Sequence, residues 1–236
     1  MGENKLKAFE RFADYKSAVI VGNGPSVNDY KWDSFAKRKE TLFLSCNRVS
    51  FIFNKTSWIP DIFSCFTKAS LEKEEWIKSI DKCLQKEKIV SFVDKRFKQV
   101  SKIEKHHSNC YFMKNILEHS RHESIKKDFI KHSFQDTVVK SYSATATLFQ
   151  ICDNLNIERI AIIGQDGYTL EKGKNHFDKK YIDEASNFSK SNSRIISMHR
   201  ELNRYFSKKN VKIYNSSKNS ILKEIYEFKD LCLFVN

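Results

Sequence analysis

An α/β protein with a doubly wound, mostly parallel sheet is the fold class this sequence predicts. Three observations point there. Apolar runs of four to six residues are continuous rather than alternating, longer helical patterns separate them, and polar or glycine-rich loops follow several of the runs. The strand candidates in order are AVIVG (18–22), TLFLSC (41–46), DIFSCF (61–66), KIVSFV (88–93), RIAIIG (159–164) and VKIYN (211–215). Each is rich in Val, Ile or Phe, the composition of strands covered on both faces. Helical patterns fall at about 69–84, 115–131, 144–155 and 196–208.

The 236 residues suffice for one core, and 40% of them are hydrophobic. The charged start MGENKLKAFERFADYK lacks the apolar block of a signal peptide and reads as a short surface helix. No apolar run approaches the ~18 residues of a spanning helix, so a cytoplasmic protein is expected. Residues 95–140 are basic, hold five of the seven histidines, and contain no glycine or proline. They are expected to form a mostly helical insertion or lid on a single domain covering residues 1–236. Six cysteines stand scattered without a CxxC pair and read as reduced structural thiols. The net charge of +13 suits acidic partners. Nucleic acid is not expected among them, because no RNP, helix-turn-helix or zinc-finger pattern is present.

In α/β sheets ligands sit beyond the carboxyl ends of the strands, so the loops there carry the functional reading. After the first strand come Gly22, Asn23, Gly24, Pro25 and Ser26, with a helix expected soon after and Asn28 or Asp29 as its cap. Glycines permit close backbone approach by a phosphate or polar ring, or simply a turn. The loop is neither GxGxxG, since Val27 stands at the third glycine position, nor a Walker A loop. After the second strand come Asn47 and Arg48; after the third come Thr67, Lys68 and Ser70, an ordinary helix start. The fifth candidate leads into GQDGYTLEKGKNHFDKKY, with Gly164, Gln165, Asp166 and Tyr168, then Asn175, His176, Phe177 and Asp178. Upstream, Ser143 and its neighbours place small hydroxyl side chains at a helix start. After the last strand come Asn215, Ser216 and Ser220. No DxD pair occurs, so a diphosphate-bound Mg²⁺ or Mn²⁺ is not expected.

In VIVGNGPSV, LSCNRVSF, the small-residue helix and RIAIIGQDGY, taken in this order, the chain resembles the bacterial family 42 sialyltransferases. It is also similar to the MptE-like group of surface-polysaccharide proteins, through NHFDKKY and KIYNSS. The resemblance implies a Rossmann-like, GT-A-variant fold. It also implies metal-free transfer of an acidic sugar (a nonulosonic acid such as sialic acid, or Kdo) from its CMP donor, with inversion. Asn23, Gly24 and Ser26 would lie along the nucleotide, with Gly22, Pro25, Arg48, Ser143, Gly164, Gln165, Asn215 and Ser216 completing the donor site. Asn47 would lie near the ribose or phosphate. Asp166 would organise the site, and the Tyr168 hydroxyl would support the departing phosphate. A glycan or lipid-linked acceptor, contact with an anionic inner-membrane surface and homo-oligomers are further implied partners.

The chain departs from the family at two points. FSCFTK has no Asn after the third strand, and the catalytic histidine has no clear counterpart. Spacing from Asp166 leads to His199, which lies in a helical pattern; spacing from the last strand leads to Ser193. His176 is the better base chemically: it sits on a site-facing loop with Asn175 and Asp178 near to orient it, and a neutral imidazole can take a hydroxyl proton. Two other readings remain open: a pterin pyrophosphokinase using ATP and Mg²⁺, with Asp178 the only obvious partner for Asp166, and a nucleotide-binding module without catalysis.

Overall fold

A computed structural model describes residues 9–36, 38, 40–67, 69–103, 106–116, 137–139, 143–169, 175–178 and 188–235. Its centre is a nine-stranded sheet in which every neighbouring pair runs parallel. The strands are β1 (Ser17–Val21), β2 (Thr41–Cys46), β3 (Ile62–Cys65), β4 (Val90–Asp94), β5 (Cys110–Ile116), β6 (Thr137–Val139), β7 (Arg159–Ile163), β8 (Lys212–Asn215) and β9 (Glu227–Phe228). Their spatial order is β6-β5-β4-β3-β2-β1-β7-β8-β9. All six predicted strands are present.

The strands read as continuous apolar runs because each side of the sheet has its own core. Ala18, Ile20, Leu42, Leu44, Ile160 and Ile162 face one cluster. Val19, Val21, Phe43, Ala161 and Ile163 face the other. Period-two alternation thus sends successive residues into different apolar layers. The first layer is closed by the helices α2 (Thr145–Asn154) and α3 (Phe188–Ser207), through Leu148, Phe149, Ile151, Met198, Leu202 and Phe206. The second is closed by α1 (Glu74–Leu84), the terminal α4 (Leu231–Val235), and an aromatic group of Trp32, Phe35 and Trp58. In α1, Ile80, Cys83 and Leu84 face the sheet, and Glu74 and Glu75 sit in the first turn where the helix dipole favours them. Asn156 and Asn210 follow α2 and α3 at φ of 53° and 59°, the left-handed step that lets a helix stop.

Two expectations change. Instead of an α-helix after β1 there are two short 3₁₀ turns, Pro25–Asp29 and Trp32–Phe35, joined by the Trp32 indole N–H donating to the Val27 carbonyl at 2.6 Å. The segment 95–140 carries β5 and β6, which extend the sheet, and a 3₁₀ turn, Lys95–Gln99, rather than helix in its described part. Tyr111 and Phe112 in β5 are only half-buried, so the continuous apolar signal fades toward this edge. The predicted helix at 115–131 begins within β5, and its remainder lies outside the described residues, as do residues 1–8 of the expected N-terminal helix. All six cysteines are free thiols, and burial pushes Cys65 and Cys110 up to about 11. Among the described residues no helix is long and apolar enough to cross a membrane.

Candidate functional site

The strand order reverses direction in sequence between β1 and β7, which places the crevice for a ligand above their carboxyl ends. There the pairing continues past both strands: Gly22 N–H donates to the Ile163 carbonyl at 2.7 Å and Gly24 N–H to the Gly164 carbonyl at 2.8 Å. The glycines serve this contact. A Cβ on Gly22 would lie 2.3 Å from the Gly164 carbonyl oxygen, and one on Gly24 would lie 2.3 Å from Asp166 Oδ2. Gly24 itself has an ordinary extended backbone at φ −74°, so its requirement is space rather than conformation. Gly164 needs both, at φ +74° with Val27 Cγ2 2.7 Å from where a Cβ would be.

Asp166 holds the turn after β1, accepting the Ser26 N–H on Oδ2 at 2.8 Å. Its Oδ1 is buried without a hydrogen-bond partner. Ser26 Oγ meets Ser217 Oγ at 2.7 Å, and the Gly164 N–H donates to both hydroxyls. Three loops, after β1, β7 and β8, are thereby tied at one point. Asn23 donates its amide to the Cys46 carbonyl at 3.1 Å, while its Oδ1 is also buried and unpartnered. Burying an acceptor oxygen without a donor costs about 1–3 kcal/mol. The two oxygens follow β1 and β7, the neighbouring strands at the reversal.

The segment after β7 folds back over the β1 loop. The Tyr168 N–H donates to Asn192 Oδ1 at 2.7 Å, and Asn192 Nδ2 donates to the Tyr168 carbonyl at 2.8 Å. Asn175 makes the same two-way contact with the backbone of Thr169. Phe177 is a buried peg: its N–H donates to the Asn23 carbonyl and its own carbonyl accepts from Asn28 Nδ2. Asp178 pairs with Lys55 Nζ at 2.9 Å. His176, between Asn175 and Phe177, has Nδ1 3.3 Å from the same Asn23 carbonyl and its ring edge-on to Tyr168. A carbonyl only accepts, so this contact places the proton on Nδ1 and the lone pair on Nε2.

At the start of α2, Ser143 Oγ and Thr145 Oγ1 both donate to Gln165 Oε1 at 3.0 Å, and Ser220 Oγ donates to the Gln165 carbonyl. Ser143 and Gln165 are thus joined at the β7 end. Pro25 opens the 3₁₀ turn after β1. Asn47 takes the left-handed conformation at φ 58° and accepts from Thr67 Oγ1 at 3.0 Å.

Four expected residues have structural commitments instead. Arg48, 2% exposed, lies over Phe51 and Trp76 and beside Glu75. Asn215 forms a closed turn with the Ser217 backbone, and Ser216 Oγ donates to the Lys229 carbonyl. His199 is fully buried in α3, between Phe149 and Tyr226, so no substrate hydroxyl reaches it there. Tyr226 donates its hydroxyl to the His199 carbonyl at 2.9 Å, so Nδ1–H must donate to that hydroxyl, leaving Nε2 buried and unpartnered. Desolvation lowers its pKa from 6.5 to about 3. The folded state therefore refuses a proton that the unfolded chain takes up below pH 6.5. Stability is full above that pH and falls as acid is added, by about 2 kcal/mol at pH 5. A His199→Leu protein should lose this part of the slope, as thermal melts between pH 7 and pH 5 will show.

Sequence reasoning did not select Ser217, Thr145 or Asn192. Ser217 stood one residue past the expected strand-end pair. Asn192 carried no local signal, because its contact is made from a helix.

An all-parallel sheet with its candidate crevice at the β1/β7 reversal is a Rossmann-like α/β architecture of the sialyltransferase type. The likeness extends over nearly the whole chain. A variant of sialyltransferase CST-II in complex with CMP superposes with a TM-score of 0.50 at 15% identity, covering 90% of this chain and 86% of that one. The monofunctional alpha-2,3-sialyltransferase Cst-I from Campylobacter jejuni gives 0.51 at 14% identity, covering 91% and 80%. No protein-family model matches the sequence, and no curated protein matches it.

Proposed function

We propose that this protein is a metal-independent, inverting glycosyltransferase that moves an acidic sugar from a CMP donor to a surface-glycan or lipid-linked acceptor. The observation that carries the reading is the pair of buried, unpartnered oxygens, Asn23 Oδ1 and Asp166 Oδ1, at the strand reversal of a fold shared with sialyltransferases. Ribose hydroxyls and the cytosine amino group are donors of the kind these acceptors lack.

In the proposed reaction the acceptor hydroxyl attacks the anomeric carbon opposite the phosphate. The glycosidic bond to CMP breaks through an oxocarbenium-like state, and the hydroxyl proton passes to His176 Nε2. Tyr168 donates a hydrogen bond to the departing phosphate. The metal-free reading rests on the sequence, which has no DxD pair to hold a cation on a diphosphate. The net charge of +13 favours an anionic donor and an acceptor at an anionic membrane surface.

Thermal shifts with CMP, CDP, UDP, GDP and ATP, each with and without Mg²⁺, test the reading. CMP at about 100 times its Kd is expected to raise Tm by roughly 5–10 °C without Mg²⁺. Stabilisation by ATP with Mg²⁺ and none by cytidine nucleotides would overturn it.

A further inference from the structure

The loop after β7 is fixed from three sides. The β1 loop holds it through Gly24 and Ser26, the loop after β8 through the Ile221 N–H on the Asp166 carbonyl, and α3 through Asn192. The third tie is a two-way one delivered from a helix. Asn192 uses its amide oxygen and nitrogen on the N–H and carbonyl of a single residue, Tyr168, much as a neighbouring strand would. Gly167 makes room for it at φ +89°, where a Cβ would stand 3.1 Å from Asn192 Oδ1 and 2.6 Å from Ile221 Cγ2. The amide is delivered from a rigid base, since Ile195, Met198 and Leu202 of the same helix are core residues.

We propose that Asn192 is a positioning residue for Tyr168. Its amide locks the Tyr168 backbone and so sets the ring against His176 and its hydroxyl at the donor phosphate. This rests on the reading of Tyr168 as the phosphate's partner. The ring centroids of Tyr168 and His176 stand 6.3 Å apart at 85°, so a shift of the Tyr168 backbone disturbs the base and the leaving-group contact together.

The chemistry of the clamp makes it testable by pH. An aspartate at this position still accepts from the Tyr168 N–H, but its second oxygen faces the Tyr168 carbonyl and repels it. Repulsion by that carbonyl and loss of water raise the carboxyl above its ordinary value of about 3.9, and once protonated it donates from that oxygen and reproduces the amide pattern. Wild-type protein, Asn192→Ala and Asn192→Asp are compared at pH 7.5 and pH 5 by hydrogen exchange at the Tyr168 amide and by CMP affinity. In the alanine variant, exchange at Tyr168 is expected to speed up about tenfold or more, and CMP affinity to fall about tenfold. The aspartate variant should match alanine at pH 7.5 and recover toward wild type, measured at the same pH, at pH 5. Unchanged exchange in the alanine variant overturns the clamp, whatever CMP does. Faster exchange with unchanged CMP affinity overturns the positioning role. A wild-type protein that binds no CMP removes the reading of Tyr168 and this role with it, a failure distinct from loss of the clamp.

Discussion

Replacing Gly22 by alanine is expected to cost about 3 kcal/mol or more, and to lower Tm by roughly 6–12 °C. The clash is with backbone: the new Cβ would lie 2.3 Å from the Gly164 carbonyl oxygen and 2.8 Å from its carbon. No rotamer relieves that contact, so the ends of β1 and β7 must separate. Separation breaks the Gly22–Ile163 and Gly24–Gly164 hydrogen bonds and withdraws the Ser26 N–H from Asp166. The proposed nucleotide binding should therefore disappear along with the stability. Gly24→Ala is the informative comparison, because its nearest neighbour is the Asp166 carboxylate, a side chain that can turn away, and the backbone contact is longer, 2.9 Å to the Gly164 carbonyl oxygen. It should lose less stability for the same loss of binding. Denaturant melts and CMP titrations of the two variants would show the split, and a Gly22→Ala protein as stable as wild type would refute the close-packed account of these loops.

His176→Ala is expected to lower kcat for transfer by about 10²- to 10⁴-fold, the usual range for a lost general base. Donor affinity should fall less than kcat, since the role proposed for His176 is to take the acceptor's proton and not to hold the donor. The tautomer gives a second handle. Asparagine at 176 can donate to the Asn23 carbonyl as the ring does, yet it offers no base, so His176→Asn should fail as badly as alanine. Transfer rates within a few-fold of wild type in both variants would move the base elsewhere and leave the proposed reaction class standing.

The central strands were legible because they are buried on both sides. A residue such as Ile20 or Val21 has no polar face to serve, so the run stays apolar throughout. β5, β6 and β9 lie toward the sheet edges, where Tyr111 and Phe228 keep contact with water and the pattern thins. The strand-end loops could be found one at a time from their glycines and hydroxyl residues. Their mutual packing could not. Nothing local in GNGPS says that Asp166 fills the space beside Gly24, so glycines that suggested ligand approach answer first to another loop. Arg48 shows the same limit from the other side: a cation after a strand looks like a phosphate partner until Phe51 and Trp76 are seen around it.

The ties around Gly164 also impose an order on how the molecule comes into being. Ser26 and Asp166 are 140 positions apart, and Ser26 and Ser217 are 191 apart. The first five strands in sequence, neighbours in space from β5 to β1, can pair while the chain is still being made, yet β1 then ends in an uncommitted loop. The crevice closes only after β7, and then Ser217 beyond β8, have left the ribosome. Long-range parallel pairing of this kind is slow and leaves an exposed flank meanwhile. A ligand for this crevice would thus report on the joining of distant parts of the chain: it would recognise β1 and β7 side by side and have little to grip on β1 alone.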